Sequence, residues 1–200
     1  MKVTKEQLST LQSLLPPLKK TIRYGVREKD FHQTVFDHIN NMLRLAPQVI
    51  KKCGLNFDID LVNALIMVHD LPETGMAYDI TAIEQATIPG KVQEKKQIEE
   101  RKMQQFSEIH GKWLLELHNV YTERCIDEAK FVKFLDVFEA DIHCLLKLEK
   151  LKPSSFGFKR TKKVIDDFPA VKKYLTEWIQ QYKPRLEKAG LWDTYFDISP

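Results

Sequence analysis

The sequence has little to suggest secretion, a membrane anchor or a covalently stapled scaffold. Its N-terminus, Met1-Lys2-Val3-Thr4-Lys5-Glu6-Gln7, has no apolar core of the kind a secretory leader needs. No uninterrupted apolar run reaches the roughly 20 residues that span a bilayer. Cysteine is sparse: Cys53, Cys125 and Cys144 are odd in number and show no Cys-x-x-Cys spacing. That argues against a disulfide framework, and the three are expected to be reduced, mostly buried thiols in a cytoplasmic protein. Only 7 glycines and 9 prolines occur in 200 residues, so long regular elements are expected. There is no Gly-rich phosphate loop, internal repeat or low-complexity tract. An excess of one charge is missing too: the net charge is +3 and the pI about 8.6, below the range of dedicated nucleic-acid binders. The charge is uneven, however, with 12 Lys and Arg against 5 Asp and Glu from Lys147 to Gly190. This basic quarter reads as a solvated helical face, so nucleic acid is not an expected partner.

What the chain does have is an apolar share of 43%, enough for a core, and a charged share of 30%, ordinary for a soluble surface. Its length suits one domain, with the core over about 20–150 and residues 151–200 as a helical extension packing on it. The periodicity is helical throughout. Thr4 and Gln7 form a capping-box pattern ahead of a helix over 4–15, which Pro16-Pro17 ends or kinks. A short helical turn follows with Leu18 and Ile22, then a polar loop over 23–30. A helix from Gln33 to Cys53 carries Val35, Ile39, Met42, Ala46 and Val49 on one stripe; Pro47 should kink or divide it, and Gly54 stops it. Asp58 or Asp60 caps the next helix. Residues 71–92 are irregular, with a cap for a short helix at Asp79-Ile80-Thr81. A long, highly charged helix is expected over 92–118, a centrally buried one over 127–149, and two more near 161–166 and 170–182. Pro153-Ser154-Ser155 reads as a linker, and Trp192, Tyr195 and Phe196 as residues that dock the tail.

Leu61-Val62-Asn63-Ala64-Leu65-Ile66-Met67-Val68-His69-Asp70-Leu71-Pro72-Glu73 is an apolar helix that ends in an imidazole and a carboxylate. Ile66, Leu65 and Val62 stand three, four and seven residues before His69, so His69 shares their inward face. A core histidine bonded to a backbone carbonyl, with Asp70 capping the next turn, would account for this pair alone. It does not stand alone. His38 lies on the apolar stripe of its own helix, between Val35 and Met42. Asp136 sits among Val132, Leu135, Val137 and Ala140, and needs Lys133, a metal or another part of the chain as partner. Two nitrogen and two oxygen donors from three helices suit a divalent cation in a bundle core: Mn, Fe, Co or Mg rather than a closed structural zinc site.

The pattern Thr34-Val35-Phe36-Asp37-His38, then His69-Asp70-Leu71-Pro72-Glu73, then Asp79-Ile80, then Glu128-Ala129-Lys130-Phe131-Val132-Lys133-Phe134-Leu135-Asp136 resembles the HD-domain superfamily of metal-dependent phosphohydrolases. Within it, the likeness is greatest to the 5′-deoxynucleotidase group. The resemblance implies an all-α HD-domain bundle with a metal site in its core, and phosphate removal from nucleotides, first of all deoxynucleoside 5′-monophosphates. It makes His38, His69, Asp70 and Asp136 the metal ligands. Glu73 and Asp79 match the acidic residues that handle the attacking water and the leaving group. Arg23 matches a phosphate-binding arginine, with Arg27 as its alternative, and Tyr24 an aromatic beside it. His32, His110, His118 and His143 receive no ligand role. Tyr78 stands where the group has glycine before its second acidic residue. A triphosphohydrolase or alarmone hydrolase within the same superfamily, and a non-catalytic nucleotide or metal sensor on the same fold, are the competing readings. A homodimer is also compatible with the resemblance.

Overall fold

The computed structural model describes residues 1–23, 33–77, 79–146 and 163–188. The elements in order are α1 (Lys5–Leu14), a 3-10 turn (Pro16–Lys20), α2 (Val35–Cys53), α3 (Ile59–Val68), a 3-10 turn (Leu71–Glu73), α4 (Ala82–Thr87), α5 (Lys91–His110), α6 (Trp113–Glu123), α7 (Asp127–Leu146), a short helix over 163–167 (α8), a 3-10 turn (Pro169–Val171) and α9 (Lys172–Lys188). The fold is all-α, as expected.

The helix starts follow local chemistry. Thr4 with Gln7, Thr34 with Asp37 and Thr81 with Glu84 form reciprocal capping boxes at α1, α2 and α4, each satisfying backbone N–H groups that the helix itself leaves open. Asp58, rather than Asp60, caps α3, accepting from the N–H groups of Asp60 and Leu61. Gly54 ends α2 at φ 65°, in the left-handed region.

α3 is the central element. Leu61, Val62 and Ala64 to Val68 are all buried, and the helix packs on α1, α2, α6 and α7. Each fully buried Leu, Ile or Met contributes roughly 1.5–3 kcal/mol. α7 adds Phe131, Phe134 and Phe138, all fully buried. Phe138 meets Trp178 of α9 edge to face, with ring centroids 4.9 Å apart. α9 also lies along α2 and, with the turn before it, puts Val171, Leu175 and Ile179 into the same apolar cluster.

Several expectations need correction. The charged helix over 92–118 is two helices: the chain breaks at Gly111, whose φ of 101° no helix accommodates. Pro47 does not divide α2; it lies on an exposed position of a continuous helix. Ile22 is not helical but forms an isolated antiparallel bridge with Thr34. The cysteines are less buried than expected, because Cys125 follows the end of α6 and is exposed, and Cys53 in the last turn of α2 is half-buried. The thiol of Cys144, the linker at 153–155 and the aromatic residues of the tail lie outside the described residues. Among the described residues no helix is long and apolar enough to cross a membrane.

Candidate metal centre

Three helices and one bridged segment bring the predicted residues together. His69 is the C-cap of α3, its N–H still bonded to Leu65 O at 3.2 Å. Asp70 leaves the helical region, and Leu71-Pro72-Glu73 then makes one 3-10 turn, closed by Glu73 N–H to Asp70 O at 3.1 Å. Residues i and i+3 of a 3-10 turn lie nearly above one another, so Asp70 and Glu73 share a side. Glu73 is buried, not the solvent-facing turn residue its position past the helix would suggest. His38 is in the first turn of α2, and Asp136 is in the middle of α7.

Ion-ligating atoms of His38, His69 and Asp136 all lie within 4.8 Å of one another, and all three residues are buried. Their orientation is held from behind. His38 Nδ1 bonds Glu139 Oε2, and Glu139 Oε1 accepts from Gln33 Nε2 at 2.6 Å and Asn41 Nδ2 at 2.8 Å. His69 Nδ1 donates to Ile66 O at 2.6 Å. With Nδ1 carrying the proton in both rings, each Nε2 presents a lone pair to the centre. Both Nε2 atoms are buried without a hydrogen-bond partner. His38 Nε2 stands 3.3 Å from Asp136 Oδ1 and 3.9 Å from Asp70 Oδ2. His69 Nε2 stands 3.1 Å from Asp70 Oδ2. Buried nitrogen acceptors thus face carboxylate acceptors, one buried and one half-buried, an unfavourable arrangement unless a cation lies among them. The donor set of nitrogen and carboxylate oxygen fits a divalent metal. Asp70 stands on the rim, its Oδ2 3.1 Å from His69 Nε2, outside the group of three whose ligating atoms all lie within 4.8 Å of one another.

The surrounding charges agree. Burial would raise the Asp136 carboxyl, but the Lys133 ammonium at 2.7 Å and the neighbouring His38 and His69 imidazoles hold it well below the usual range. Lys133 occupies Oδ2, which leaves Oδ1 to the centre, so of the partners its sequence setting allowed the Asp136 side chain has Lys133. Burial would lower the His69 imidazole, yet the Asp70 and Asp136 charges raise it on balance. The site therefore favours positive charge.

Arg23 spans the two carboxylates, with its guanidinium 3.7 Å from Asp70 Oδ2 and 3.7 Å from Asp136 Oδ1. Backbone pairing puts it there: Arg23 N–H bonds Gln33 O at 2.9 Å, and Val35 N–H bonds Thr21 O at 3.0 Å. The buried Thr21 hydroxyl lies 3.2 Å from Glu73 O and donates to Met76 O at 2.9 Å, and Asp79 N–H donates to Ile22 O at 3.0 Å. One short segment thus fixes Arg23, Glu73 and Asp79 relative to each other. Asp79 does not cap α4, a task Thr81 performs; its carboxylate bonds Lys95 Nζ at 2.8 Å. Tyr24 and Arg27 lie outside the described residues, as does Tyr78.

Four participants were not singled out from the sequence. Glu139 falls three residues after Asp136, on a polar stripe with Lys133 in an otherwise apolar helix, a signal that was present. His118 is buried on α6 one turn after the buried Leu114, the same signal that identified His38. Burial, with the charge of His69 adding, lowers its pKa to about 4, so it is neutral near pH 7. Tyr121 approaches Asp136 Oδ2 at 3.5 Å and packs edge-on to His69. Lys95 could not be told from Lys96 by sequence: Lys95 reaches Glu73 Oε1 at 2.9 Å, whereas Lys96 is solvent-exposed.

An all-α bundle with two imidazoles and a carboxylate gathered in its core, and a second carboxylate on their rim, is suited to hold a divalent metal. The chain belongs to the HD domain family, whose model matches residues 15–171. Membership carries that family's coarse assignment, divalent-metal binding and phosphoester hydrolysis, and the donor set found here fits it. A solved structure of a conserved hypothetical protein from Pyrococcus furiosus has a similar fold, with 22% identity and a TM-score of 0.63 over 88% of this chain and 99% of that one. No curated protein matches the chain.

Proposed function

We propose that this protein removes phosphate from a nucleotide, with deoxynucleoside 5′-monophosphates as the first substrate class. The observation that carries the reading is the pair of tautomer-locked imidazoles whose unpartnered Nε2 atoms face Asp136 and Asp70. In this reading His38, His69, Asp70 and Asp136 hold the ion. When bound, a divalent ion lowers the pKa of its water and offsets charge on phosphoryl oxygens. Arg23 offers the phosphate a fork of parallel donors, which suits a planar guanidinium better than an ammonium. Glu73 keeps one buried oxygen, Oε2, without a hydrogen-bond partner, and this oxygen orients the attacking water and receives its proton. The monophosphate preference rests on the resemblance of the His69-to-Glu73 and Glu128-to-Asp136 stretches to the 5′-deoxynucleotidase group.

The test is a panel of mono- and triphosphates and alarmone nucleotides against Mn²⁺, Co²⁺ and Mg²⁺, reading inorganic phosphate and triphosphate separately. Glu73→Gln should keep its metal and lose about 10²–10³ in turnover. Release of triphosphate would move the assignment to a triphosphohydrolase. Tight nucleotide binding with no turnover under any metal would make the protein a sensor.

A further inference from the structure

We propose that Lys95 is a positioning residue: its ammonium bridges Glu73 and Asp79 and decides which oxygen of Glu73 faces the metal centre. The inference rests on the reading of Glu73 as the group that handles water. Three elements meet at one nitrogen. Glu73 comes from the 3-10 turn after α3, Asp79 from the segment bonded to Ile22, and Lys95 from the second turn of α5, which packs on that 3-10 turn. Lys95 Nζ donates to Glu73 Oε1 at 2.9 Å and to Asp79 Oδ1 at 2.8 Å; the nearest Glu99 oxygen, at 3.8 Å, is beyond hydrogen-bond reach.

The geometry has two consequences. An ammonium holds its donors in a fixed tetrahedral arrangement, so engaging Oε1 leaves Oε2 as the oxygen of Glu73 that is open to another donor, and Oε2 is the atom found buried without one. Lys95 is also the cation that the acids on this side share. Glu73, Asp79 and Asp70 all act on it electrostatically, and their combined charge outweighs the burial that would otherwise favour its neutral form. Without it, the carboxylates of Glu73 and Asp79 would repel each other, and the Glu73 side chain would turn away. Asp79 then serves as the second anchor of Lys95, not as a group on the leaving oxygen. Its backbone is already fixed to Ile22, so it is a firm one.

The experiment compares wild type with Lys95→Met, Lys95→Arg, Asp79→Asn and the Lys95→Met/Asp79→Asn double variant, using the nucleotide and metal that wild type turns over best. Lys95→Met should lower kcat about 10²-fold, the effect of a roughly 1 Å misplacement of a reacting group. KM should stay within about twofold of wild type, because Arg23 does not touch Lys95, and Mn²⁺ should bind no more weakly, because Lys95 contacts none of the four ion donors and acts on Asp70 only through its charge. Lys95→Arg, which keeps a charged fork between the carboxylates, should recover most of the loss. The double variant should be no slower than Lys95→Met alone; multiplicative losses would make Asp79 an independent catalytic group and overturn the proposal. Lys95→Met with full kcat would overturn it too.

A second measurement needs no substrate. Glu73→Gln and Asp79→Asn are each made in wild type and in the Lys95→Met variant, and unfolding by urea is followed. With Lys95 in place each change should destabilise, because it removes a partner of a half-buried cation. In the Lys95→Met background each should stabilise, because it relieves repulsion between uncompensated acids. The same sign in both backgrounds would overturn the bridge. If wild type turns over no nucleotide, the hydrolase reading is what has failed, and the sign reversal still decides the bridge.

Discussion

His38 can serve an ion through Nε2 only while its proton stays on Nδ1, and Glu139 is the residue that keeps it there. The Glu139 carboxylate is in turn satisfied on its other oxygen by Gln33 and Asn41, both donors. A glutamine at 139 could not meet all three demands. If its amide NH₂ faced His38, the imidazole would have to accept at Nδ1 and carry its proton on Nε2, where the ion belongs. If the NH₂ faced the other way, it would meet two donors. Glu139→Gln should therefore weaken Mn²⁺ binding about 10–100-fold, the usual effect of losing a partner behind a ligand, while the helical circular dichroism spectrum stays unchanged. Calorimetric titration checks this, and unaltered affinity would show that the tautomer is set by something else. At this scale the sequence was uneven. His38, His69 and Asp136 were legible because a polar residue on an apolar stripe has to be explained. Glu139 carried the same signal, weakened by its place among charged neighbours. Lys95 carried none, since a half-buried lysine on a highly charged helix looks like its exposed neighbours until α5 is placed against the 3-10 turn.

The helices themselves were legible wherever one face is apolar and a cap is written into the sequence, as in α1, α2 and α3. The region from Lys91 to Glu123 was harder. Helical propensity runs through it, and its one interruption, Gly111, is the kind of residue that helices often tolerate. The structure shows why it is a break: Gly111 has φ 101° and ψ 154°, a combination essentially restricted to glycine. A Cβ there would also stand 3.1 Å from Trp113 Cδ1, and Trp113 is held by a 2.7 Å bond from Nε1 to His110 O. The turn matters to the site because α5 delivers Lys95, while α6 delivers His118 and Tyr121. Gly111→Ala should cost about 1–3 kcal/mol, seen as a lower urea midpoint at unchanged slope. A neutral result would mean that the chain can leave this conformation without disturbing the packing of α5 on α6.

Across the whole molecule, the candidate ligands come from α2, α3 and α7, helices that also build most of the core. An ion bound there ties together three segments that share one cooperative unit, so its binding free energy adds to the stability of the whole fold. At about 100 times the dissociation constant the gain is about 2.7 kcal/mol. At this size each kcal/mol moves the midpoint by about 2–4 °C. Saturating Mn²⁺ should therefore raise the melting temperature by roughly 5–10 °C, and EDTA should reverse the rise. Asp136→Asn removes one negative ligand with almost no change in volume, and His69→Gln removes one imidazole, so both should shrink the rise to a small fraction of that in wild type. The comparison is made within each variant, with and without metal, so a loss of stability in the metal-free state does not enter. An equal rise in wild type and both variants would place the ion elsewhere, among the exposed acidic groups of the surface, and would leave the inward-facing nitrogens without the partner that their burial requires.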